Sequence, residues 1–233
     1  IALRNGLSRP IYSNSTTVVR TSWRGQGWWR QSERRESFSH WFREIHPNKL
    51  IVGIVGINVG VWCLWQTAKL NRRRLNQMER HFLFSVQNLR EGRIYTPITS
   101  MFSHSDFFHL FFNMLGVAAF GPQLAAFAGN RHFMALYLCG GAAGCIAHVV
   151  AHRVLSPTPH NPPALLGASG GLFALLTAYG AVWPRNMVNV FFIPVPAWTV
   201  SIVAVSFLSV VNSFAPPTQQ VSTATHIGGV AAG

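Results

Sequence analysis

Carboxylates are scarce in this chain. The six acidic residues among 233 are Glu33, Glu36, Glu44, Glu79, Glu91 and Asp106, so residues 107–233 contain none, and Arg131, Arg153 and Arg185 are the sole Lys or Arg there. So long a stretch with one basic residue per connection reads as helices in lipid. A content of 49% hydrophobic and 11% charged residues is likewise unusual for a soluble protein. Cysteine is also sparse: Cys63, Cys139 and Cys145 fall in apolar segments without Cys-x-x-Cys spacing. That pattern indicates neither a disulfide framework nor a zinc site, and the three are expected to be packing residues. His148 and His152 stand four apart, but no Glu follows His148 as a zinc-protease helix would need. They are expected to be interfacial histidines, with no metal and no cofactor.

The charge that is present is basic and concentrated. Residues 1–49 hold eight Arg and one Lys against three Glu, and residues 69–93 hold six Arg and one Lys against two Glu, which supply most of the net +13. Nucleic acid would suit such a charge, but most of the length is apolar, so the lipid bilayer, with anionic headgroups at the basic segments, is the expected partner and nucleic acid is not. Residues 1–32 contain five Arg, no acid and many Ser and Thr, the composition of a mitochondrial targeting segment or of the stretch just after one. Ile1 is not an initiator Met, so a processed or trimmed chain is expected. Trp23, Trp28, Trp29 and Trp41, interleaved with Arg, also suit a membrane surface. Residues 1–49 are therefore read as a basic extension.

Hydropathy places the first span at about Leu50–Ala68, where no residue is charged and helical rise gives about 28 Å. Residues 69–99 are too long for an idle loop and are expected to be a partly helical membrane-surface element. The second span runs from near Asp106 to about Phe127 and the third from His132 to about His152. After a proline-rich loop at 153–166, the fourth occupies Gly167 to Trp183, just before Pro184. At roughly 25 Å it is short of the ~30 Å hydrocarbon core. One of its ends then lies below the surface, where non-helical backbone is tolerated only if buried in protein or lining a wet cavity. The fifth span is expected over about Val190 to Phe214, and the sixth begins near Val221 and is cut at Gly233.

Polar residues in these spans are the functional candidates. Ser169 sits in Gly167-Ala168-Ser169-Gly170-Gly171 at the head of the short fourth span. Glycine on both sides lets other groups approach its Oγ closely. His226 heads the sixth span. A serine hydroxyl becomes a useful nucleophile only when a base within hydrogen-bond reach takes its proton, and imidazole titrates in the right range. With no acid within 100 residues of His226, serine chemistry here needs a Ser–His dyad unless Asp106 reaches across. Developing negative charge needs donors. The Ser169 N–H at a helix start is one, and the Asn113 side-chain amide, with His109 on the same helical face, is another. Gly229 and Gly233 form a small-residue face that can approach another helix.

Gly167-Ala168-Ser169-Gly170, His109-Leu-Phe-Phe-Asn113-Met, and His226 followed by Gly229 and Gly233 together resemble the three signature motifs of rhomboid intramembrane serine proteases, over about residues 50–233. The basic extension resembles the mitochondrial, presenilin-associated rhomboid-like branch. The resemblance implies an all-α polytopic membrane bundle with a six-helix core, the sixth helix truncated here. It implies Ser169 as nucleophile, His226 as general base, and His109, Asn113, the Ser169 N–H and Gly167 around an oxyanion hole. His104 matches a structural histidine, and Gly229 and Gly233 support the helix of the base. Mitochondrial relatives generally carry a seventh helix, and residues 1–49 hold no second apolar run for it. The implied activity is cleavage of single-span proteins in or beside their transmembrane helix, in the mitochondrial inner membrane. A non-catalytic helix binder or chaperone on the same scaffold stays open beside it. A small transporter or channel is disfavoured because no duplicated hydropathy pattern is present.

Overall fold

The computed structural model describes residues 40–155, 162–190, 193–213 and 222–233. The targeting-like composition of residues 1–32 and Trp23, Trp28 and Trp29 lie outside them. Helix α1 (Pro47–Ala68) begins with proline at a position whose N–H would have no partner anyway, while the His46 ring accepts the Asn48 N–H at 3.2 Å. Its buried residues, Ile51, Ile54, Asn58, Val61, Trp65 and Ala68, recur every three or four positions and make one stripe. Val52, Ile57, Val59 and Leu64 are exposed on the other side, as suits a helix with lipid around it.

The connection after α1 is helical in pieces, as its length and mixed composition led one to expect. Helix α2 (Arg72–Phe82) is capped by Asn71, whose side-chain oxygen accepts the N–H of Arg73 and Arg74 at 3.0 and 3.3 Å. Met78 is buried with Val61, Trp65 and Ala68, and Leu75 and Phe82 pack at its edge, so the arginines are left on the outer face. Helices α3 (Val86–Arg90) and α4 (Thr96–Thr99) follow, and a 3₁₀ turn at Ser100–Phe102 leads toward the second span. Trp65 Nε1 donates to Ser103 Oγ at 2.6 Å, fixing this turn to α1.

Helices α5 (Phe107–Ala128) and α6 (Asn130–Leu155) are joined through Gly129, whose φ of +81° permits the reversal with a single residue between them. Asp106 caps α5 by accepting the His109 N–H at 2.9 Å. The Asn130 side-chain amide donates to the carbonyls of Phe42 and Ile45, both at 2.8 Å, which ties the start of α6 to the segment entering α1. Helices α1, α5 and α6 are long and apolar enough to cross a membrane.

Helix α7 (Ser169–Val182) is the central helix, buried over most of its circumference. With 14 residues it rises about 21 Å, shorter still than the sequence suggested: it begins only at Ser169, after Gly167 with its positive φ, and Trp183, which precedes Pro184, is pushed out of the helical region at the other end. Its uniform burial explains why it lacks an amphipathic stripe. The fifth span differs from expectation: Met187–Val190 and Ile193–Pro196 form an antiparallel hairpin, β1 and β2, pairing Met187 with Pro196 and Val190 with Ile193. Helix begins only after Pro194 and Pro196, with a 3₁₀ turn at Ala197–Thr199 and then α8 (Val200–Ser213). Two prolines remove two backbone donors and bias the residues before them to extended backbone, so Val190 cannot start a helix that runs through them. Helix α9 (Thr223–Ala232) completes the bundle, close to the expected start at Val221. The core runs between α5, α6, α7 and α1, with Val117, Phe133, Tyr137, Leu175 and Phe173 at its centre.

Candidate active site

Ser169 is the first residue of α7 and is 8% exposed. The loop that delivers it is held by backbone on both sides. Phe84 and Leu165 exchange two bonds, at 2.9 and 2.8 Å, and the Gly167 N–H donates to the Ser100 carbonyl at 2.9 Å. The Ala168 N–H donates to His104 Nε2 at 3.3 Å. That bond assigns the proton of the neutral His104 ring to Nδ1. His104 is completely buried, and desolvation, aided by His109 beside it, pushes its pKa down to about 3. It is thus a permanent acceptor for the residue before Ser169. The first intrahelical bond of α7 is Leu172 N–H to Ala168 C=O at 2.9 Å, so the amides of Ser169, Gly170 and Gly171 precede the ladder and face outward as helix-start donors.

Gly167 has φ of +123°, a conformation that a side chain would strain. It is also where the His109 ring lies: a Cβ added at Gly167 would stand 2.6 Å from Cε1 and 2.8 Å from Nε2. His109 Nε2 is buried and has no hydrogen-bond partner among the described residues. Its ring meets His104 edge-on at 4.9 Å between centroids. One turn along, Asn113 is 6% exposed and spends one amide hydrogen on the His109 carbonyl at 2.8 Å, which leaves the second for another acceptor. The shared face of His109 and Asn113 and the loop at Gly167 are therefore brought together.

His226 arrives from the far side of α7. Its ring lies on Phe173, with centroids 4.6 Å apart and planes tilted by 33°, and Phe173 is one turn from Ser169 on the same face. Gly229, three residues after His226, lies against the Gly170 carbonyl so closely that an added Cβ would overlap that oxygen and stand 3.1 Å from Phe173 Cβ. Gly233 meets the Ala174 carbonyl one turn farther on in the same way. His226 is 2% exposed, and its Nδ1 has no hydrogen-bond partner among the described residues. Asp106 is occupied as the cap of α5. Ser169 also lines a cavity of about 20 Å³ together with Ser100, Met101, Cys145, Leu166 and Thr225, which is room for a single water molecule.

Sequence reasoning missed three contributors. Ser100 and Ser222 look like ordinary polar residues, and nothing in their local pattern marks them. His148, expected to be interfacial, is 8% exposed with both ring nitrogens bonded, partners that its spacing did not indicate. The signal that would have found it is the position of Gly144 one turn earlier, on the same α6 face, against which Thr225 of α9 packs.

A bundle of apolar helices around a short, buried central helix that begins with a buried serine is a scaffold of the intramembrane-protease type. Residues 91–233 match the Rhomboid domain, and the chain belongs to the rhomboid family. It is 30% identical over 212 residues to the Arabidopsis thaliana RHOMBOID-like protein 12, mitochondrial, covering 85% of this chain and 60% of that one. Against Rhomboid protein 1, mitochondrial, of Saccharomyces cerevisiae it is 32% identical over 167 residues, 70% of this chain and 45% of the yeast protein. Against the human presenilin-associated rhomboid-like protein, mitochondrial, the figures are 28% over 172 residues, 73% and 42%. The chain thus spans less than two thirds of the length of each of these relatives. With its apolar helices and mitochondrial relatives, it is a mitochondrial multi-pass membrane protein.

Proposed function

We propose that residues 50–233 form an intramembrane serine endopeptidase that cleaves single-span proteins of the mitochondrial inner membrane in or next to their transmembrane helix, with residues 1–49 as a basic extension. The observation that carries the reading is the seam between α7 and α9. Ser169 and His226 each stand at or near a helix start, and the Gly229–Gly170 contact and the Phe173–His226 ring contact fix those helices to each other.

In this reading His226 removes the Ser169 hydroxyl proton as Oγ attacks the scissile carbonyl carbon. The carbonyl oxygen becomes an oxyanion and is met by the Ser169 N–H, the second Asn113 hydrogen and His109 Nε2–H, the last of these having no partner among the described residues. The C–N bond then breaks, the leaving amine takes the proton from His226, and an acyl-serine remains. Water attacks this ester, losing its proton to His226; the acyl C–Oγ bond then breaks, Ser169 Oγ takes that proton back from His226, and the acid is released. Among the described residues no carboxylate bonds the base at Nδ1; the Phe173 ring orients it by packing. A substrate helix must unwind before its carbonyl is open to attack, so small and helix-breaking residues near the cut favour cleavage. The outer arginines of α2 meet anionic headgroups.

Fluorophosphonate labelling of the full-length protein in detergent, with Ser169→Ala and His226→Ala beside wild type, tests the reading. Label on wild type and on neither folded variant is the expected outcome. A folded wild type that takes no label refutes the proposal in favour of a protein that binds membrane helices without cutting them.

A further inference from the structure

His148 of α6 is far from Ser169 in sequence and belongs to none of the motifs above, yet its two ring nitrogens reach the two segments that carry the site. Nδ1 is 2.6 Å from Ser222 Oγ, and Nε2 is 3.0 Å from the Pro163 carbonyl oxygen. A carbonyl oxygen only accepts, so Nε2 carries the proton, and Nδ1 of the neutral ring must accept from the Ser222 hydroxyl. Ser222 Oγ in turn caps α9 by accepting the Thr225 N–H at 3.3 Å. Donation therefore runs in one direction, from the Thr225 amide through Ser222 and His148 to Pro163.

Both ends of this chain of bonds matter for position. Pro163 lies just before Leu165 and Gly167, where the loop is pinned on its way into α7 at Ser169. Ser222 is the cap of the helix that carries His226 four residues later. Between them, Gly144 lets α6 approach α9 so closely that an added Cβ would stand 2.8 Å from the Thr225 carbonyl oxygen. Apolar contact along α6 permits sliding; a directional polar link at its end does not.

We propose that His148 is a positioning residue that sets the approach of His226 to Ser169 by locking the cap of α9 to the loop before α7. The proposal rests on the dyad reading above. An imidazole suits the task because it presents one acceptor and one donor on a rigid ring. A glutamine side chain also presents one acceptor and at least one donor on its terminal amide.

The test uses the full-length protein in detergent with wild type, His148→Phe, His148→Gln and Ser222→Gly. Glycine is well tolerated as a helix cap, so Ser222→Gly removes the hydroxyl and largely keeps the helix start. The readout is the maximal rate of fluorophosphonate labelling per folded molecule, separated from the probe concentration at half-saturation. His148→Phe and Ser222→Gly are expected to lower that rate by about 10- to 100-fold, with half-saturation unchanged, as misplacement of reacting groups does. His148→Gln is expected to restore most of it. A purely structural role would lower the folded fraction and leave the rate per folded molecule alone. Wild-type rates in folded Ser222→Gly, or a folded His148→Gln as slow as His148→Phe, overturn the positioning role while leaving the dyad standing. Absence of label on wild type itself sinks the dyad.

Discussion

Replacing Gly229 by Ala probes the seam on which the proposed chemistry depends, at a residue that touches no reacting atom. The added methyl would overlap the Gly170 carbonyl oxygen and stand 3.0 Å from its carbon and 3.1 Å from Phe173 Cβ. Two of these three neighbours are backbone of the residue next to Ser169, so no side chain can rotate away to make room. Relief requires α9 to back off until the contacts return to the ~3.5 Å of ordinary carbon packing, a separation on the order of 1 Å. Overpacking of this kind costs typically 1–3 kcal/mol of stability. The same displacement carries His226 away from Ser169, and an ångström of misplacement can lower a rate about 100-fold. Thermal unfolding in detergent and fluorophosphonate labelling, measured on one preparation, separate the two effects. The expected result is a folded protein of modestly lower midpoint that labels about 100-fold more slowly. Labelling at the wild-type rate, with an unchanged midpoint, would show that the two helices do not meet as described, and the geometric basis of the dyad would go with it.

Two further outcomes are expected. Asn113→Ala should lose about 10²–10³ in kcat on a cleavable peptide, about 3–4 kcal/mol, with the protein still folded; normal turnover would remove Asn113 from the oxyanion site. Burial holds His104 neutral down to about 3 against an ordinary 6.5, so below pH 6.5 the unfolded chain binds a proton that the folded one refuses. Stability is then unaffected above pH 6.5 and falls by about 1.4 kcal/mol per unit as pH drops toward 3, or about 2 kcal/mol by pH 5. His104→Gln keeps an acceptor for the Ala168 N–H and should lose less stability than wild type between pH 7 and pH 5 in denaturant melts. Equal losses would show that His104 titrates freely.

The parts of this fold that were legible in the sequence are those set by composition over many residues. The absence of charge from Leu50 to Ala68 and of carboxylates beyond Asp106 announced the spans, and glycine beside Ser169 and after His226 announced close backbone approach. The start of α8 was misplaced because apolar composition is the same for a strand and a helix. Pro194 and Pro196 carried the answer: they stand in the second strand of a hairpin, opposite Asn189 and Met187. The bonds of His148 were hidden for a different reason. A histidine near the end of a span is ambiguous until its partners are known, and Ser222 and Pro163 lie 74 and 15 residues away. That His109 Nε2 has no partner among the described residues is likewise invisible in one dimension, since being unpaired is a property of the surroundings.

By giving both amide hydrogens to the Phe42 and Ile45 carbonyls, Asn130 fixes the parity of the molecule. The entry to α1 and the Gly129 reversal share one face of the bundle, two crossings apart. The paired Phe84 and Leu165 place the arginine-bearing α2 on the opposite face, with the loop into Ser169. Orientation in the membrane is then a single binary variable: locating any one of these segments orients the rest. Ser169 is approached from the arginine-rich face, so on the proposed reading a substrate bond reaches it from there, while the chain enters its first span from the other.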